Sequence, residues 1–87
     1  MSTPHPPSTQ MERRLAGYWS ELLGLQEIGR GDHFISLGGN SLLATMLANR
    51  IEEDLGIRPM MGELFNTLEE VATLCEQLVQ EQAEAGR

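Results

Sequence analysis

The run Asp32-His33-Phe34-Ile35-Ser36-Leu37-Gly38-Gly39-Asn40-Ser41-Leu42-Leu43 is the stretch whose residue types and spacing point to chemistry. Gly38 and Gly39 strip side chains from the approach to Ser41 and let another backbone come close. A helix starting at Asn40 or Ser41 sets free amides and the positive end of its dipole beside that hydroxyl. Both favour an anion attached there, so the chemistry on offer is the holding of a phosphate. The plainer reading of Ser41 is a helix N-cap, a common use of Ser before an apolar run. A nucleophile elbow wants Gly two residues to either side of the Ser, and Leu43 fills the second place. The P-loop pattern fails as well, because the chain has no Lys. His33 beside Asp32 offers a base for a small serine hydrolase, but no acidic third member stands at recognisable spacing. A loop histidine is far more often solvated or capping.

Composition narrows the classes. The 87 residues carry thirteen acids against six Arg, a net charge of −7, which repels phosphate backbones and argues against nucleic-acid binding. Such a surface invites basic partners. No apolar run approaches the roughly 20 residues of a membrane span, and no leader is recognisable, so a cytoplasmic protein is expected. Two His and one Cys make no zinc site, so no metal is expected, and Cys75 cannot close an internal disulfide.

The elements that must position Ser41 follow from periodicity. Residues 1–8, with Pro4, Pro6 and Pro7, read as a disordered tail to which His5 belongs. Thr9 and Glu12 fit a capping box, and Met11, Leu15, Trp19, Leu22 and Leu23 recur at helical spacing up to a C-cap at Gly24. Gly17 inside that helix points to a close neighbour. Residues 25–40 form a long loop for which Ile28, Phe34, Ile35 and Leu37 are the expected anchors. A second helix runs to Leu55 on the stripe Leu43, Leu47, Ile51, Leu55 and ends at Gly56. A short turn covers Met60 to Phe65, where the methionines read as core filling or as an adaptable partner surface. Thr67 and Glu70 open a last helix through about Gln82, burying Leu68, Val71, Ala72, Cys75, Leu78 and Val79; residues 83–87 fray. The expectation is an all-α four-helix bundle over residues 9–82, with three longer helices and one short one.

Here the sequence resembles a known family. Leu37-Gly38-Gly39-Asn40-Ser41-Leu42 is similar to the phosphopantetheine attachment motif of carrier proteins, and Asp32-His33-Phe34-Ile35 to its Asp-x-Phe-Phe lead-in. Leu15, Trp19 and Leu22-Leu23-Gly24 resemble the family's first helix, and Glu63-Leu64-Phe65 its short third one. The double glycine is closer to peptidyl carriers (thiolation domains) of nonribosomal peptide synthesis than to acyl carriers of polyketide or fatty-acid routes, which are the alternative. Three departures stand out. Asn40 replaces the usual His or Asp; the Pro-Thr loop after Phe65 is two residues shorter; Met60 and Gly62 replace Pro and a polar residue. None removes Ser41.

The resemblance implies a covalent carrier rather than an enzyme. Ser41 would bear 4′-phosphopantetheine, flanked by Gly38, Gly39, Asn40 and Leu42, and the arm's thiol would hold an aminoacyl or peptidyl thioester. Implied partners are a phosphopantetheinyl transferase, an adenylation enzyme and condensation or tailoring enzymes, met by a free-standing monomer. A helical adaptor with no covalent group is the bland alternative. On a helical wheel, Leu43, Ala44, Leu47, Ala48, Ile51 and Leu55 share one side of the second helix, while Leu42, Met46, Asn49 and Glu53 face away. Leu42 and Met46, with Met61, are the expected docking patch. Glu52-Glu53-Asp54 oppose the helix dipole, which makes Glu52 and Glu53 either a solvated face or a site for basic partners.

Overall fold

The computed structural model describes residues 5–85, in four helices: α1 (Gln10–Leu23), α2 (Ser41–Leu55), α3 (Met61–Leu64) and α4 (Leu68–Ala85). The expected four-helix architecture stands. α1 packs against α4 and α2, and α2 against α3. Leu15, Trp19, Phe34, Leu47, Ile51, Leu64, Leu68, Val71 and Cys75 are fully buried. Leu22, Leu43, Leu55, Leu78 and Val79 are half-buried at the margin of that core. Burial pushes the Cys75 thiol up to about 12, so it packs as an inert apolar group. No described helix is long and apolar enough to cross a membrane.

The ends of α1 and α2 fall where their caps require. Thr9 accepts the Glu12 amide at 3.0 Å. Gly24 and Gly56 close the two helices in the left-handed region, at φ 69° and 73°. Thr67 caps α4 reciprocally with Glu70.

The long loop is fastened to the start of α4 through residues 30–34. Its residues run beside the start of α4, where Arg30 and Asp32 carbonyls accept the Glu69 and Leu68 amides, and the Phe34 amide donates to Asn66. An isolated antiparallel bridge pairs His33 with Thr67, with no strand among the described residues. Free amides at the α4 N-terminus are thereby satisfied by loop carbonyls.

Five expectations need correction. Ile35 is 49% exposed and anchors nothing; Ile28, Phe34 and Leu37 suffice. Gly17 has open space where a Cβ would sit, so no close neighbour explains it. α4 continues to Ala85, past the expected end at Gln82, as a solvated turn of good helix formers. Residues 5–8 are not a loose tail: the His5 carbonyl accepts the Arg30 amide, and the Ser8 amide and hydroxyl donate to Glu12. The remainder of the expected tail, residues 1–4, and of the frayed end, residues 86–87, lie outside the described residues. Finally, the α1 capping box is only half made. Glu12 is 3% exposed and turns its carboxylate to Ser8 and Arg30 instead of the Thr9 amide. An Arg eighteen residues away won it, which local spacing cannot show.

Candidate functional site at the start of α2

Two glycines lead into α2 for different reasons. Gly38 has φ 103°, a conformation that side chains disfavour. Gly39 sits against Phe34, and a Cβ there would overlap the Phe34 ring edge and lie 2.7 Å from the Phe34 carbonyl oxygen. The Gly39 amide donates to that same carbonyl at 2.9 Å. Phe34 is itself fixed by an edge-on contact with Trp19, 5.2 Å between centroids, and by Phe65. The aromatic core thus dictates how the chain reaches Asn40.

Asn40 is the N-cap. Its Oδ1 accepts the Leu43 amide at 2.9 Å, and its carbonyl accepts the first helical bond from Ala44 at 2.8 Å. Ser41 is therefore the first helical residue, exposed, and its Oγ makes no hydrogen bond to another described residue. Its carbonyl accepts the Thr45 hydroxyl one turn on. The first turn of α2 carries no acid, whereas the first turns of α1, α3 and α4 carry Glu12, Glu63, and Glu69 with Glu70. A phosphate on Ser41 would meet amide donors and the positive dipole end without a neighbouring carboxylate to oppose it. The residues present fit a phosphopantetheine attachment.

His33 is occupied elsewhere, its Nδ1 accepting the Ile35 amide at 3.2 Å as a turn cap. Asp32 likewise holds the Gly29 amide. These loop-internal bonds account for both residues without a hydrolase.

Leu42 is 69% and Met46 44% exposed, and Asn49 and Glu53 lie on the same solvent side, while Ala44, Leu47, Ala48 and Ile51 are buried. Met60 is 75% and Met61 41% exposed, so neither fills the core. A groove of about 370 Å³ beside the site is lined by Ala44, Thr45, Ala48, Arg58, Pro59, Met60 and Met61. The three acids at the end of α2 differ among themselves. Glu52 pairs with Arg58 at 2.9 Å, Asp54 accepts the Tyr18 hydroxyl at 2.6 Å, and Glu53 makes no ion pair among the described residues. Burial and then the Asp54 bond raise the Tyr18 hydroxyl above its ordinary pKa.

Missing from the sequence reading was the Arg30–Glu12 pair, two bonds at 3.0 and 2.9 Å, with Glu69 3.5 Å from the same guanidinium. The Arg30 side chain holds the Glu12 carboxyl down at about 2 against the opposing effect of burial. Ser8 reinforces it.

The family model described as phosphopantetheine attachment site matches residues 13–78. The chain is 38% identical over 81 residues to a component of linear gramicidin synthase from Brevibacillus parabrevis, a match covering 92% of this chain and 2% of that protein. It thus spans a very small part of that relative. Among solved structures, a non-covalent extended docking-domain complex of the Pax nonribosomal peptide synthetase superposes with a TM-score of 0.85 at 28% identity, over 94% of this chain and 81% of that one. A peptidyl carrier protein solved with the phosphopantetheine transferase Sfp and coenzyme A gives 0.80 at 25% identity, over 84% and 97%. The chain belongs to the phosphopantetheine attachment site family, a carrier domain homologous to the peptidyl carrier domains of nonribosomal peptide synthetases whose cofactor is covalently held 4′-phosphopantetheine.

Proposed function

We propose that Ser41 is the attachment residue and that the chain serves as a non-catalytic peptidyl carrier. The observation that carries this is the exposed Ser41 hydroxyl at the head of α2, the one helix of the four whose first turn holds no acid. A phosphopantetheinyl transferase supplies the arm from coenzyme A. The Ser41 Oγ–phosphorus bond forms, the diphosphate linkage of coenzyme A breaks, the nucleotide leaves, and the hydroxyl proton passes to a base of the transferase. The bound arm supplies a thiol that carries aminoacyl or peptidyl groups as thioesters. This chain's own residues hold the phosphate at the α2 amides, leave open space at Gly38, and set the approach to Ser41 by packing Gly39 on Phe34. Tethering raises the effective concentration of cargo at each partner's site.

Adenylation enzymes load such an arm, and condensation or tailoring enzymes unload it. Leu42, next to Ser41, and Met46 one turn beyond Leu42, both solvent-facing, together with Met61 of α3, are the surface we assign to these partners. Single exposed apolar side chains are ordinary, but several around one hydroxyl are not needed for folding.

The test is intact mass after incubation with coenzyme A and a broad-specificity transferase. The chain should gain one phosphopantetheine, and Ser41→Ala none, with a melting shift of only a few tenths of a kcal/mol since Asn40 remains the cap. Retained labelling of Ser41→Ala would refute the assignment. Leu42→Glu and Met46→Glu should leave melting within about 0.5 kcal/mol yet slow loading. If either variant unfolds, that residue belongs to the core and the surface is elsewhere.

A further inference from the structure

Asn40 and Ser41 are adjacent and are about equally good helix caps, so the sequence allows α2 to begin in either of two frames. The structure takes the first: Asn40 has extended backbone and accepts the Leu43 amide, and the helical ladder opens with the Ala44 amide on the Asn40 carbonyl. In the second frame Ser41 would be the cap. Its Oγ would accept the amide of Leu43 or Ala44, with a lone pair committed and the hydroxyl turned onto the helix end.

We infer that Asn40 is a positioning residue for the modification of Ser41: by capping α2 it keeps the neighbouring hydroxyl out of the capping role and free to attack. This rests on Ser41 being the attachment residue. Asn40 does not touch the reacting phosphorus. It sets which of two side chains satisfies the helix amides, and the other is left available. Gly39 supports the same frame, because its contact with Phe34 fixes the backbone just before the cap.

The experiment follows the rate of phosphopantetheine transfer to the full chain by intact mass, with coenzyme A and a broad-specificity transferase, resolving kcat from KM for coenzyme A. Asn40→Ala and Asn40→Gly remove the capping side chain, the glycine with very little loss of stability. Asn40→Ala should lower kcat by up to about fivefold, the population ratio that a cap of ordinary strength sets between the two frames, and Asn40→Gly, which caps nearly as well, by less than about twofold, with KM for coenzyme A unchanged in both. Asn40→Thr retains a neutral capping oxygen and should stay near the wild-type rate. Thr9→Ala removes a comparable cap from α1, far along the chain from Ser41, and should lower melting without slowing transfer. A wild-type rate for Asn40→Ala, a slow Asn40→Thr, or a Thr9→Ala as slow as Asn40→Ala would each overturn the inference while leaving the attachment assignment standing. No adduct on the wild-type chain, or an adduct on Ser41→Ala, would overturn both.

Discussion

At the start of the long loop, Arg30 commits its guanidinium to a buried carboxylate and both its backbone groups to other segments, His5 on one side and Glu69 on the other. At the far end the loop passes Phe34 and Gly39, and the chain emerges at Ser41 with its hydroxyl, Leu42 and Met46 in solvent. One end has its polar groups paired and its apolar groups covered; the other leaves a nucleophilic oxygen and large apolar side chains unpartnered. Covered, paired groups serve folding, and uncovered ones are tolerated only on a scaffold made firm elsewhere. The difference between the two ends separates residues that hold the domain from residues that meet other molecules.

The largest effect is expected where the two regions join. Gly39→Ala puts a methyl into the Phe34 ring and close to the Phe34 carbonyl, and Phe34 is fully buried against Trp19. Neither neighbour can yield without moving the aromatic core. The substitution should cost about 3 kcal/mol, and thermal unfolding would measure it. A loss below about 0.5 kcal/mol would mean that the approach to Ser41 is not set by the core.

Next comes the fastened end itself. Arg30→Met leaves the Glu12 carboxylate buried with only Ser8 to bond it and should lower the melting temperature, by less than the loss of a fully buried pair because Arg30 is partly exposed. The same pair makes an acid signature. The folded Glu12 pKa is depressed from 4.5 to about 2, so its contribution is present above the unfolded value and is lost as pH falls from 4.5 through 2. Melting of the wild type should fall over that window, and Glu12→Gln should flatten the fall. If Glu12→Gln follows the wild-type curve, the pair contributes nothing to folding. Transfer to Ser41 in either variant should keep its wild-type rate at temperatures where the domain stays folded.

The two ends were unequally legible in the sequence. Caps and stripes are local, so α1, α2 and the start of α4 could be read from Thr9, Gly24, Asn40 or Ser41, Gly56 and the Thr67–Glu70 box. The attachment motif is also local, the eleven residues from Asp32 to Leu42. What could not be read was long-range. Glu12 looked like a partner for Thr9, because nothing near it announced that Arg30 would come closer. Ile35 looked like an anchor, because loops lack the period that tells inward from outward. From the sequence Gly39 reads as clearing space for an incoming group; in the fold the place where its Cβ would stand is filled by Phe34. The frame of α2 was open by one residue until the cap geometry of Asn40 fixed it.

The smallest effect, and the finest test of the comparison, lies among the acids closing α2. Read from sequence, Glu52 and Glu53 are equivalent; in the fold Glu52 is paired with Arg58 and Glu53 faces solvent without an ion pair among the described residues. A carboxylate already beside a guanidinium adds little to the outward field, whereas an unpaired one adds its full charge. Glu53→Gln should leave melting unchanged and slow association with a basic partner enzyme. Glu52→Gln should lower stability by about 0.2–1 kcal/mol, the range of an exposed pair, and slow association less. Raising salt should slow the wild type, since screening shortens the field to about 8 Å near physiological ionic strength, and should slow the Glu53→Gln variant less. Association rates of transferase and chain, measured across a salt series for the three proteins, decide the matter. A wild-type rate indifferent to salt would make both acids solvated surface only. A larger loss from Glu52→Gln would show that Arg58 releases its partner on docking.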